Sequence, residues 1–336
     1  MKKVYLLSIS IAVYCLSAIA VFASSPYITK VYDYSPAPGQ FVNTLPKYEA
    51  GNTKADMTQK AENAIANNKQ SMITLGAFGG YVIFGFDHMI ENVPDEYDFV
   101  VLGNANTNGA EPGVVSVSYD ANKNGLPDDE WFELAGSEYA SSILDYQITY
   151  TRPSESHIPT PDQDQKWLID STYVPWRDNK GDKGYINQLS YHTQPYYPQW
   201  LEENEYTLSG TKLPGNAVFT TIWTLPAFDY GYADNYANND PKGYLKIDWA
   251  VKADGTPANL PGIQFVKVYN GLNQQCGMIG ETSTEITGAI DLHLDVTALD
   301  KLNGQSPMSN GKYIEDGKLY IRHNGHLFNL QGVRVK

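Results

Sequence analysis

The sequence predicts an all-β protein, a sandwich with one short N-terminal helix and a small C-terminal β-hairpin appendage, and three observations carry that expectation. The chain has 336 residues, 42% of them hydrophobic, with 28 Gly, 19 Pro and 25 Tyr. That is enough apolar material for a core, in a balance that favours strands and turns. Its apolar segments are short and separated by turn-rich loops; from Val114 to Tyr119 Val and Ser alternate with period two. A helical stripe is confined to one segment near the start. No internal repeat of roughly 20–50 residues is visible, which argues against a propeller or a solenoid.

Taken in order, Lys2-Lys3 precede an uncharged run from Val4 to Ala23 that closes Val21-Phe22-Ala23 before Ser24-Ser25. Small side chains three and one residues before Ser24 read as a cleaved secretory signal over 1–23. An uncleaved anchor is the rival, because the run approaches spanning length. Cys15 follows Tyr14, where lipid attachment wants a small residue, so the expected product is exported without lipid, at the cell surface, outside the cell or in the periplasm. Cys276 is then the single mature thiol, and no intrachain disulfide can form.

Residues 26–50 are Pro-rich and extended. Thr53 caps the one helix, with Asp56 three residues on and an apolar stripe of Met57, Ala61, Ala64 and Ile65 running to about Asn67. Strands are expected at 72–86, 98–102, 114–119, 131–134, 146–151, 205–208, 217–224, 244–251, 263–269 and 290–296. Between them, 152–200 reads as a long ordered loop rich in Pro, Asp, Tyr and Trp. The sandwich domain spans 24–297, a linker 298–312, and a hairpin 313–336 turning at Asn324-Gly325.

Lys and Arg number 24 against 38 Asp and Glu, a net charge of −14, which repels phosphate backbones and makes nucleic acid an unsuitable partner. The acids are patterned at one place. Asp120, Asn122, Asn124 and Asp128 put oxygens at positions 1, 3, 5 and 9 of a loop, Gly125 at position 6 permits a sharp turn, and Leu126 offers its carbonyl at position 7. Calcium is the natural occupant, with Asp128 and Glu130 closing the shell. Trp131 stands where an EF-hand has Glu, and the preceding residues read as a strand, so the fit is to shorter calcium loops between strands. A metal-free turn would explain the glycine but not four oxygens in step.

The segments Pro36 to Asn43, Thr74 to His88, Asp98 to Ala105, Glu111-Pro112-Gly113 through Gly136, Gly231 to Asn235, Ile247 to Ala250, Gly280 to Glu285 and Asp291-Leu292-His293 together resemble a family of secreted or surface proteins of Bacteroidetes. The resemblance implies a galactose-binding-like, jelly-roll-like β-sandwich. It also implies a setting beside TonB-dependent nutrient uptake systems, including those for corrinoids. The missing lipidation cysteine departs from many surface proteins of such systems. The C-terminal Tyr320 to Lys336 resembles the terminal hairpins of secreted proteins from the same bacteria.

The sequence lacks H-E-x-x-H, G-x-S-x-G and G-x-x-x-x-G-K-[ST], so common hydrolase and nucleotide signatures are missing. Asp87-His88 and Asp291-Leu292-His293 could supply a general base or a metal ligand, but a His bonded to a loop carbonyl at a strand end is the plainer reading. Cys276 reads as a buried thiol. For binding, Trp167, Tyr173, Trp176, Tyr191, Tyr196, Tyr197 and Trp200 fall within 34 residues, and flat aromatic faces among polar groups suit sugar rings or a large planar cofactor. Trp167, Trp176, Tyr196, Tyr197 and Trp200 form the expected ligand site, with core packing as the rival. The combined expectation is an exported, non-catalytic protein, braced by structural calcium, that captures a glycan or corrinoid for an outer-membrane TonB-dependent transporter. The alternatives are a glycan-processing enzyme on the same scaffold and a structural or adhesive surface protein.

Overall fold

A computed structural model describes residues 24–294, 311–315, 318–323 and 326–329. The expected signal 1–23, nearly all of the linker 298–312 and the Asn324-Gly325 turn lie outside the described residues. The fold is an all-β sandwich with one α-helix among the described residues. In chain order its elements are β1 (Lys30–Ser35), α1 (Lys54–Ile65), β2 (Ile73–Thr74), β3 (Tyr81–Glu91), β4 (Phe99–Leu102), β5 (Gly113–Ser118) and β6 (Trp131–Leu134). There follow β7 (Ile143–Thr151), β8 (Leu168–Asp178), β9 (Lys183–Leu189), β10 (Glu205–Lys212), β11 (Val218–Phe219), β12 (Trp223–Thr224) and β13 (Tyr232–Ala233). The last are β14 (Tyr244–Leu245), β15 (Ala250–Val251), β16 (Gly262–Asn270), β17 (Glu285–Ile286), β18 (Gly288–Asp291), β19 (Gly311–Glu315), β20 (Lys318–His323) and β21 (His326–Asn329).

The main sheet runs β1-β3-β16-β5-β6-β15, with β13 also paired to β5, and a four-stranded sheet runs β10-β7-β8-β9. A three-stranded sheet, β14-β4-β18, completes the principal core. Period-two geometry sorts the main sheet's side chains. Val115 and Val117, Phe132 and Leu134, and Val266 and Val268 enter the principal core, where Met57, Ala61 and Ile65 of α1 join them. A second core, built on Phe78, Tyr146, Ile148, Tyr150 and Val174, lies under the four-stranded sheet.

The helix forms as its sequence requires. Thr53 Oγ1 accepts from the Asp56 N–H at 3.3 Å while the Asp56 carboxylate accepts from the Thr53 N–H at 2.8 Å, a reciprocal capping box. It ends at Ile65, just before Asn67 and Asn68 take left-handed backbone, which Asn tolerates. At the C-terminus β20 and β21 form the expected hairpin and β19 adds a third strand.

Five segments differ from expectation. The 72–86 stretch is divided into β2 and β3 by the non-strand residues 75–80, and among the described residues of 290–296 only Ile290 and Asp291 are strand, at the end of β18, with 292–294 bending away. Residues 168–189 are a strand pair rather than a loop, β8 and β9 meeting across the Asp178–Asp182 turn. Register shifts between Leu168 and Asp170 and between Asp170 and Val174, with Pro175 inside β8, blur the alternation that would have revealed them. The stretch 217–224 is a small hairpin, β11–β12, and 244–251 is two short strands separated by a 3-10 turn over Ile247–Trp249.

Trp200 belongs to the principal core, 9% exposed and stacked 6.1 Å from Tyr34. Trp200→Ala should therefore lower stability by about 3–5 kcal/mol, read from the denaturant midpoint; a change below about 1 kcal/mol would remove this ring from the core.

Candidate functional site

The face of the main sheet opposite the principal core carries a polar row beside the small hydrophobic cluster of Val114, Tyr232 and Tyr269. Ser116 of β5 lies directly between Lys267 of β16 and Glu133 of β6 in the ladder, so the three form one row across adjacent strands. Trp131, two residues before Glu133, shares their face. Strands β7 and β10 pass over this row, and the space between is a cleft of about 480 Å3 lined by Trp131, Glu133, Lys267, Ser116, Gln147 and Thr211 among others. Gly210 permits the close approach: a Cβ there would sit 2.4 Å from the Tyr269 ring.

Glu133 is fixed by two hydroxyls, Thr211 Oγ1 and Tyr269 Oη, donating to its Oε2 at 2.8 and 2.9 Å. Burial raises its pKa against those hydrogen bonds. Burial lowers the pKa of Lys267, against the charge of Asp33. A second groove of about 580 Å3 lies between β1 and α1, but the ion pairs Lys30–Glu62 and Lys54–Asp33 already bridge it.

The 120–130 loop joins β5 to β6. Asp120 is largely buried, and its two carboxylate oxygens accept from the Asn124 and Gly125 N–H groups at 3.0 and 2.9 Å. Asn122 Oδ1 and Asn124 Oδ1 accept from the backbones of Asn124 and Leu126, and both side-chain amides donate to Asp128. Those hydrogen bonds hold the Asp128 carboxyl below its ordinary value. Gly125 has φ +73°, as the sharp turn requires. Leu126 and Glu130 are exposed, and Asp129, which sequence reasoning passed over, has a buried Oδ2 without a hydrogen-bond partner.

A different group of acids could hold a metal ion: Glu111, Asp234 and Glu285 each bring an oxygen within 4.8 Å of the others. Asp234 Oδ1 accepts from the Asn104 and Ala105 N–H groups, both at 2.8 Å, and Oδ2 from the Glu285 N–H at 2.9 Å. Thr74 donates to Glu285 Oε1, and the Ser283 N–H to Glu111 Oε1. The Glu111 and Glu285 side chains also hydrogen-bond to each other, which requires a proton on one of them. Burial, then mutual repulsion, raises Glu111 well above the carboxylate range. Burial, then the charge of Asp234, pushes Glu285 up to about 8. Burial alone takes Asp234 to about 6, against the three N–H donors. These acids sit at residues 111, 234 and 285, too far apart in sequence for any spacing pattern to expose them.

Of the expected ligand-binding rings, Tyr196 and Tyr197 are fully buried in the second core and Trp200 in the first, which corrects their assignment to an exposed aromatic face. Trp176 is half-buried over Gly184 and packs on the second core. Trp167 is half-buried, and Tyr191 is exposed with its hydroxyl donating to the Met278 carbonyl. The structure does not gather the five residues into one site. His88 lies between Asp87 and Asp291, 2.8 Å from each; burial lowers its pKa, but these two partners together raise it. His293 Nε2 is 3.0 Å from Asp98. Both histidines thus meet carboxylates, where a backbone carbonyl was expected. Cys276 is buried and free, and burial raises its pKa. No protein-family model matches the chain, and no curated protein matches it.

Protons retained by Glu111, Asp234 and Glu285 make stability depend on pH in a defined direction. The folded state holds protons that the unfolded chain has released, so this contribution is whole below the ordinary carboxylate values, about pH 4. It is lost as the pH rises through about 6 for Asp234 and about 8 for Glu285. Denaturant titrations at about pH 5 and about pH 8.5 should show metal-free protein weakening with rising pH, and Glu285→Gln weakening less. Parallel losses in both proteins would refute the shared-proton arrangement.

Proposed function

We propose that the protein is an exported, non-catalytic binding protein that captures a short glycan for nutrient uptake, in the cleft floored by Trp131, Ser116, Glu133 and Lys267. The cleft itself carries this reading. Its volume, about 480 Å3, is in the range of small-molecule sites, and it offers an aromatic face beside hydroxyl, amide, carboxyl and ammonium groups, the set that matches a sugar's apolar ring face and its hydroxyls. A corrinoid, with its macrocycle and nucleotide arm, is less well matched to a cleft of this size. The uncharged run after Lys2-Lys3 supports export, and among the described residues no helix is long and apolar enough to cross a membrane. The resemblance to secreted Bacteroidetes proteins supports a role beside an outer-membrane TonB-dependent transporter. Titration with a panel of oligosaccharides should find a ligand, and Trp131→Ala should weaken it about tenfold or more with little change in melting. Binding that ignores Trp131 would move the site elsewhere.

Calcium in the 120–130 loop is the cofactor of this reading, held by Asp120, Asn122, Asn124, Asp128, Glu130 and the Leu126 carbonyl. The inward convergence of Asp120, Asn122, Asn124 and Asp128 supports it, since turning the two amides would present oxygens where nitrogens now meet Asp128. At a roughly hundredfold excess over Kd a native-state ligand adds about 2.7 kcal/mol. Chelation should lower Tm and Asp120→Ala should abolish that response; persistence of the response in Asp120→Ala would point to the Glu111, Asp234 and Glu285 group instead.

A further inference from the structure

The cleft contains a cation without an ion-pair partner. Lys267 makes no hydrogen bond and no ion pair among the described residues; its ammonium lies 4.4 Å from the Tyr81 ring centroid and 5.7 Å from that of Tyr269. Asp33, the acid that acts on it electrostatically, is already engaged by Lys54 at 3.0 Å, by the Tyr81 hydroxyl at 2.8 Å and by the Ser35 hydroxyl at 2.9 Å. Two aromatic rings hold the ammonium while leaving its three donors unspent. Acids outnumber bases in this chain, 38 to 24, so an unpaired cation on the floor of a cleft is not explained by the overall charge.

The far end of the floor is different. Glu133 is two strands from Lys267, about 10 Å at the Cα atoms, and its Oε2 is occupied by Thr211 and Tyr269. Ser116 stands between the two. The exposed rim adds one charge of each sign, Asp145 and Lys252, which cancel to a first approximation. The floor is thus polarised, with its unmet demand for negative charge at the Lys267 end.

We infer that the cleft selects an acidic saccharide, one whose ring bears a carboxylate or a sulfate that meets Lys267 while the chain extends past Ser116 toward Glu133 and Trp131. This rests on the glycan-capture reading and adds the charge of its ligand. A charged hydrogen bond inside a partly dehydrated cleft is stronger than its neutral counterpart, and the Lys267 end of the floor is where an anionic group meets a cation that has no ion-pair partner.

The test compares sugars that differ only in charge. Uronate oligosaccharides, galacturonate and mannuronate among them, are titrated beside their methyl-esterified forms, and sulfated galactan oligosaccharides beside their desulfated forms, by calorimetry in low salt. One acidic series should bind about tenfold or more tighter than its neutral partner, which also tells carboxylate from sulfate. Lys267→Met should erase that preference and leave weaker, Trp131-dependent binding, whereas Lys267→Arg should keep it. A circular-dichroism melt on each variant shows that it is folded. Equal, Trp131-dependent binding of charged and neutral forms would overturn the acidic specificity and leave glycan capture standing. A preference that survives in Lys267→Met would overturn the role of Lys267, and absence of binding to every oligosaccharide would overturn both readings.

Discussion

Three adjacent strands, β6, β5 and β16, are covered on both faces by different chemistry, and the register between them governs everything else in the molecule. Their alternate residues send Val115, Val117, Phe132, Leu134, Val266 and Val268 into the principal core and Ser116, Glu133 and Lys267 into the cleft. A slip of one residue would exchange the two sets, placing charges in the core and valines in the cleft. The core therefore specifies the cleft. Burying six branched or aromatic side chains is the larger free-energy term, and the polar row is carried into position by it.

A second constraint ties the short strands. β2, β13 and β17 have only two residues each, too few ladder bonds to fix themselves. They are joined instead by the buried segment Glu281 to Glu285, whose Ser283 and Thr284 hydroxyls and Glu285 reach Thr74, Gly76, Glu111 and Asp234, while the Glu281 carboxylate accepts from the Gln40 N–H. None of the ion pairs among the described residues includes these acids, so backbone N–H groups, hydroxyls and a retained proton hold them. Buried carboxylates are tolerable on those terms. Each link spans a long stretch of chain, so the network sets tertiary register where the strands cannot.

What was legible in the sequence follows the same division. The helix was legible because Thr53, Asp56 and the Met57–Ala61–Ile65 stripe are local signals, β5, β6 and β16 because polar and apolar residues alternate along them, and β4 because it is a short continuous apolar run. The 152–200 stretch was not. Its bulges and Pro175 break the period, and rings such as Tyr196, Tyr197 and Trp200 look like a ligand platform when their own covering strands are unknown. Glu133 and Lys267 were hidden for the opposite reason: a charge in an alternating strand reads as a solvent face, and it becomes a cleft floor only when β7 and β10 pass above it. The calcium-type loop stood out because its oxygens are close in sequence, while Glu111, Asp234 and Glu285 meet only in the fold.

The loop and the cleft are mechanically one unit. The 120–130 segment leaves β5 two residues beyond Ser116 and ends at Trp131, the first residue of β6. It is tied to β16 by the Asp120 N–H on Gln264 and to β1 by the Tyr32 hydroxyl on the Gly125 carbonyl. Glu133 has anchors of its own in Thr211 and Tyr269. Trp131 has fewer, being the point where the loop becomes a strand. Anything that stiffens the loop acts first on the aromatic face of the cleft and only weakly on its carboxyl, so order in the 120–130 loop bears on how well a ring stacks on Trp131 more than on which charges the floor presents.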